Sequence, residues 1–154
     1  MIQSLPERRP GAGDWFDMNG HPPSAAATVL VVEDDLLVRD CAAAVLGEHG
    51  FKVLQAANGP EGLLLLEKEQ ADVVFTDVNM PGAFDGLGLA RRVRRRWPHI
   101  AVVITSGRGG PDREMEGTRF LPKPYIPDSL ARLVEDVVRR NRGPRSVKAR
   151  CPAG

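Results

Sequence analysis

Five short apolar runs, rich in β-branched residues and emptying into charged or turn residues, constrain this chain more than any other feature. They fall at residues 29–32, 51–54, 73–76, 100–105 and 119–121. Near-continuous apolar runs of this length read as parallel strands buried on both faces, whereas half-exposed strands alternate polar and apolar positions. Between them lie stretches with helical spacing at 36–48, 59–69, 87–96 and 128–140. Gly50 stops the first and Gly59-Pro60 opens the second. Trp97-Pro98 closes the third, and Pro127-Asp128 suits the start of the last. Strand and helix in alternation predict an α/β fold, a doubly wound five-stranded parallel sheet with right-handed crossovers and helices on both faces.

The flanks read differently. Residues 1–26 hold Pro6, Pro10, Gly11, Gly13, Gly20, Pro22 and Pro23 without a sustained period, so a flexible leader is expected, with Trp15 and Phe16 its only large aromatics. Residues 143–154, with Pro144 and Pro152 among basic residues, are expected to form a flexible tail, leaving one domain at 27–142. No apolar stretch approaches the roughly 20 residues needed to cross a bilayer, and no basic segment followed by an apolar one opens the chain. A cytoplasmic protein without a membrane partner is expected. Cys41 and Cys151 have neither metal-binding nor disulfide spacing, and Cys41 reads as a small buried hydrophobe.

Formal net charge is +1, yet 11 of the 21 basic residues fall in two clusters, Arg91 to Arg96 and Arg139 to Arg150. Both clusters sit where helical patterns end, where cations offset the helix dipole. No interleaved aromatics or recognition-helix motif accompanies them, so nucleic-acid binding is the weaker reading.

The chemistry lies at the strand ends. Glu33 and Asp34 follow the first run directly, Asp77 follows the third, Thr105 ends the fourth, and Lys123 comes just after the fifth. In an open α/β sheet these positions share one edge. Carboxylates brought together repel one another unless a cation joins them or their pKa values rise. An all-oxygen pocket without histidine or cysteine favours Mg²⁺, with Mn²⁺ as a second choice. A carboxylate can itself accept a phosphoryl group, with Lys123 and Thr105 contacting the transferred group. Singly, each residue is ordinary: an acidic pair caps a turn, Thr105 is a strand residue, Lys123 a solvated charge. Their conjunction in this order is the signal.

These residues sit in the motifs ValLeuValValGluAspAsp, PheThrAspValAsnMetProGly, ValIleThrSerGly and PheLeuProLysPro, and over residues 28–140 the chain resembles the receiver domain of two-component response regulators. The resemblance implies the flavodoxin-like receiver fold. It implies Glu33 and Asp34 as the acidic pair, Asp77 as phosphoacceptor, and Asn79 as the residue lending Mg²⁺ its backbone carbonyl. It further implies Thr105 as the switch hydroxyl, Phe120 as the aromatic that follows it, Lys123 as the paired lysine, and a cis Lys123-Pro124 bond. Asp35, just beyond the acidic pair, reads as a helix N-cap.

One departure stands out. Only 13 residues separate Thr105 from Arg119, including Gly107, Gly109, Gly110, Pro111 and Gly117, where the family places a full fourth helix. A shortened or missing fourth helix is expected, with residues 108–116 a glycine-rich, mobile connection ordered by phosphorylation or a partner. The expected role is a stand-alone receiver, not an enzyme acting on other substrates. A histidine kinase or phosphotransfer protein would phosphorylate Asp77, and an unidentified downstream protein would read the result, without a DNA-binding domain. Two alternatives compete. One is a receiver-like binding module that no longer takes phosphate; the other is a phosphatase of the haloacid-dehalogenase type, which needs an aspartate where Asn79 stands.

Overall fold

The structure, a computed structural model, describes residues 27–107 and 117–149. Within them the order is β1 (Thr28–Val32), α1 (Leu36–Glu48), β2 (Lys52–Ala56), α2 (Gly59–Lys68), β3 (Val73–Asp77), α3 (Gly86–Arg96), β4 (Ala101–Ser106), β5 (Thr118–Pro122) and α4 (Pro127–Ala149). The strands form one parallel sheet in the order β2-β1-β3-β4-β5. The expected sheet is therefore present, with strand bounds moved by a residue or two.

Because β1, β3 and β4 are central, side chains on both of their faces are buried, which is why their sequences read as unbroken apolar runs. Val29, Val31, Val73, Phe75 and Val103 turn to one face and pack with Ala42 and Leu46 of α1 and Leu130, Val134 and Val138 of α4. Leu30, Val32, Val74, Val102 and Ile104 turn to the other, against Leu66 of α2 and Leu89, Ala90 and Val93 of α3. Each buried Val, Leu, Ile or Phe among them contributes about 1.5–3 kcal/mol of burial free energy.

Register sets what stands at the carboxyl edge. Asp77, the last residue of β3, lies opposite Thr105, which lies opposite Leu121, and Ser106 lies opposite Pro122, so β3 ends one rung before β4 and β5. Val32 lies opposite Thr76, which puts Glu33 beside Asp77.

Of three expectations, two need correction and one falls outside the described residues. Cys41 is exposed, as are Leu36, Leu37 and Val38, because α1 turns Ala42 and Leu46 to the sheet. Apolar residues surround this helix, so their spacing does not define its inward face. Second, α4 passes the expected end at Arg140 and runs through Gly143 and Pro144 to Ala149, into the expected tail. A proline removes its own N–H and crowds the preceding turn, a penalty that is not an absolute stop. Third, the connection expected to replace the fourth helix, residues 108–116, lies outside the described residues, as do the leader and residues 150–154. Among the described residues there are four helices, and none is long and apolar enough to cross a membrane.

Candidate functional site

The β1–α1 loop carries Glu33, Asp34 and Asp35. Asp35 is the N-cap, its carboxylate accepting from the Leu37 and Val38 N–H groups at 2.9 and 3.2 Å. Its own N–H donates to Glu33 Oε1 at 3.1 Å. Arg39, one turn into α1, donates to the Glu33 carbonyl at 2.9 Å and to Gln55 Oε1 at 3.3 Å, tying this loop to the end of β2. Glu33 is thus buried while Asp34 faces solvent.

Asp77 ends β3 and is 6% exposed. Its Oδ1 accepts from the Asn79 N–H at 2.9 Å, and its Oδ2 accepts from Lys123 Nζ in an ion pair. The loop behind it is held at both ends: the Val78 N–H donates to the Thr105 carbonyl at 2.9 Å, and the Gly86 N–H donates to the Val78 carbonyl at 2.9 Å. Gly86 is required by this close approach, because a Cβ there would overlap the Asp77 carbonyl and lie 2.9 Å from Val78 Cα.

Lys123 follows β5, anchored by its N–H on the Ser106 carbonyl at 3.0 Å, and the Lys123-Pro124 bond is cis. Tyr125 packs edge-on against Phe75 with ring centroids 6.1 Å apart, seating this loop on the core. Thr105 is 1% exposed, and its hydroxyl has no hydrogen-bond partner. Leaving a buried hydroxyl unpaired costs about 1–3 kcal/mol, which an arriving oxygen would recover. Phe120 lies opposite Ile104 in the ladder, partly buried against the α2–α3 side of the core.

Electrostatics follow from this crowding. Burial, a hydrogen bond with the Asp34 carboxyl and the Asp77 charge push Glu33 up to about 7, against the Asp35 N–H and Lys123. Desolvation works against the Lys123 ammonium, but the Asp77 carboxylate outweighs it and holds Lys123 above its usual value.

The strand ends therefore bring Glu33, Asp77, Thr105 and Lys123 together, with Asp34 at the rim and Phe120 one layer below. Among the described residues no three acidic, imidazole or thiol groups form a ready metal cage. The donor set still suits a hard cation that takes one or two carboxylates and otherwise oxygen and water. Burial and the neighbouring Asp77 carboxylate disfavour charge on Glu33, a cost that a bound cation would offset. Arg39 and Tyr125 escaped sequence reasoning, since a helical arginine and a loop tyrosine have no local signal for the contacts they make.

A doubly wound sheet with a paired carboxylate and lysine at its switch edge defines a class of α/β phosphoacceptor-type domains. The response regulator receiver domain model matches residues 29–135, and the chain belongs to that family. Over 116 residues it is 37% identical to the response regulator protein FleR of Pseudomonas aeruginosa, a match covering 71% of this chain and 24% of FleR. It is also 36% identical over 126 residues to the sensor kinase CckA of Brucella abortus, covering 76% of this chain and 13% of CckA. Among solved structures, the Vibrio cholerae chemotaxis protein CheY4 superposes with a TM-score of 0.68 at 28% identity, covering 73% of this chain and 99% of that one. The receiver domain of the hybrid histidine kinase CckA superposes with a TM-score of 0.64 at 35% identity, covering 73% and 99%. The chain thus spans about a quarter or less of these two curated relatives. Phosphorylation and magnesium binding are typical of the family.

Proposed function

We propose that Asp77 is the phosphoacceptor of a magnesium-dependent phosphorelay, taking its phosphoryl group from a histidine kinase or a phosphotransfer protein. The observation that carries this reading is the Lys123–Asp77 pair set level with a buried Thr105 hydroxyl that has no partner. An Asp77 carboxylate oxygen attacks phosphorus, the P–N bond to the donor's histidine breaks, and the imidazole takes up a proton. The Asn79 N–H and Lys123 hold the attacking carboxylate in place, and Lys123 offsets charge on the transferred group. Thr105 then gives its hydroxyl to a phosphoryl oxygen, and its movement opens space for Phe120, changing the surface that a downstream protein reads.

Magnesium would be held by Glu33, Asp34, Asp77 and the Asn79 carbonyl, partly through water. When bound, it neutralises charge as the phosphoryl group moves. Leu37, 75% exposed, and Ile126, 64% exposed, follow β1 and β5 at this edge and offer apolar contact to the donor.

Asn79 cannot serve as the acid/base of a haloacid-dehalogenase-type phosphatase. The test is incubation with acetyl phosphate and Mg²⁺ followed by intact-mass measurement. An adduct is expected on wild type and none on Asp77→Asn; equal yields on both would overturn the assignment.

A further inference from the structure

We propose that Phe84, in the loop between β3 and α3, is a positioning residue for the magnesium site, acting through the Asn79 backbone; the inference rests on the phosphoacceptor reading.

The loop is closed at its ends by the Gly86 N–H on the Val78 carbonyl, so Asn79 and Phe84 belong to one ring of backbone. Phe84 pins that ring from the middle. Its side chain lies against Gly59, the first residue of α2, where a Cβ would overlap the aromatic ring. On its other side the Arg92 guanidinium stacks over it, Cζ 3.9 Å from the centroid, while Arg92 Nη1 donates to the Gly88 carbonyl at 3.1 Å. Asp85, the next residue, caps α3 by accepting from the Gly88 N–H at 2.8 Å. Phe84 therefore fastens the loop after β3 to the helix after β2, in a slot that glycine leaves open and arginine closes. A stacked guanidinium adds about 0.5–2 kcal/mol to the burial of the ring.

Of the oxygens assigned to magnesium, the Asn79 carbonyl is the one carried by this loop. Magnesium tolerates little departure from octahedral geometry, so a loosened donor costs affinity. Beyond the Asn79 N–H that steadies the Asp77 carboxylate, phosphoryl transfer depends on Lys123 after β5 and Thr105 in β4, both outside this loop. The consequence is a split between metal affinity and maximal rate.

The experiment compares wild type, Phe84→Ala and Gly59→Ala by magnesium titration calorimetry, acetyl phosphate kinetics at several Mg²⁺ concentrations, and amide exchange in metal-free protein. Phe84→Ala is expected to weaken Mg²⁺ binding by about tenfold or more. Its phosphorylation rate at saturating Mg²⁺ should stay within about twofold of wild type, and the Gly86 amide should exchange faster without metal. Gly59→Ala, which keeps Phe84 but expels its ring, should show the same split, and adding Phe84→Leu should restore part of the affinity. A folded Phe84→Ala protein with unchanged Mg²⁺ affinity and unchanged Gly86 exchange overturns the inference. If that variant does not fold, the same result for Gly59→Ala does so. Failure of the phosphoacceptor reading looks different, because it appears as equal adduct on wild type and Asp77→Asn.

Discussion

Lys123 Nζ donates to Asp77 Oδ2 across 46 residues of sequence, joining the loop after β5 to the end of β3. The pair has one charge of each sign, with the carboxylate the more deeply buried partner. Replacing Lys123 by alanine leaves Asp77 without its cation and removes the charge that offsets the transferred phosphoryl group. Phosphorylation by acetyl phosphate is expected to slow by about 10²-fold or more, the loss typical of a removed electrostatic stabiliser. Intact-mass time courses at fixed Mg²⁺ check this. A rate within a few-fold of wild type would remove Lys123 from the chemistry.

Glu33 sets a pH dependence. Its folded value, raised from 4.5 to about 7, means that the folded protein holds this proton more tightly than the unfolded chain. Below pH 4.5 both states are protonated and the group is neutral in the balance. As pH rises from there through 7, the unfolded chain ionises first, so stability falls, by on the order of 3 kcal/mol as an upper bound. Metal-free thermal melts should decline across this window, and Glu33→Gln should flatten the decline. Added Mg²⁺ should recover most stability above pH 7, where the carboxylate is charged.

Thr105→Val separates stability from signalling. The hydroxyl is buried without a partner, so an apolar side chain of the same shape should leave the melting temperature unchanged or slightly raised. Phosphorylation should still occur, while the change in the Phe120 environment that follows it, read by aromatic NMR, should disappear. A marked loss of stability would mean that the hydroxyl has a partner after all.

Gly86→Ala tests the packing of α3 on the site. The added methyl meets the Asp77 carbonyl, and overpacking of this kind costs about 1–3 kcal/mol. Denaturant unfolding should show that loss, and the phosphorylation rate should fall with it, because the strand end bearing Asp77 has to shift.

How far the sequence alone reached depends on which physics wrote each element. Strands β1, β3 and β4 are buried on both faces, so Val29 to Val32, Val73 to Thr76 and Val102 to Thr105 announce themselves as uniform apolar runs. The chemical groups are legible for a related reason, since Asp77, Thr105 and Lys123 sit at strand ends and strand ends are marked by a switch from apolar to polar. Helix α1 has no such contrast: Leu36, Leu37, Val38, Cys41, Ala42, Val45 and Leu46 leave its rotation undetermined until it meets Phe51 and Val134. Gly143 and Pro144 suggested a stop that the α4 backbone does not make. The roles of Phe84, Arg39 and Tyr125 arise from contacts between distant loops, and no local pattern encodes those.

The level alignment of Asp77 with Thr105 and of Ser106 with Pro122 has an evolutionary corollary. Loops joining the strands can gain or lose residues without disturbing the chemistry, as the long turn holding Phe84 illustrates. One residue inserted within β4 would instead rotate every later side chain to the opposite face and carry the hydroxyl away from the carboxylate. Descendants of this gene should accumulate length changes between ladder rungs and almost none along them.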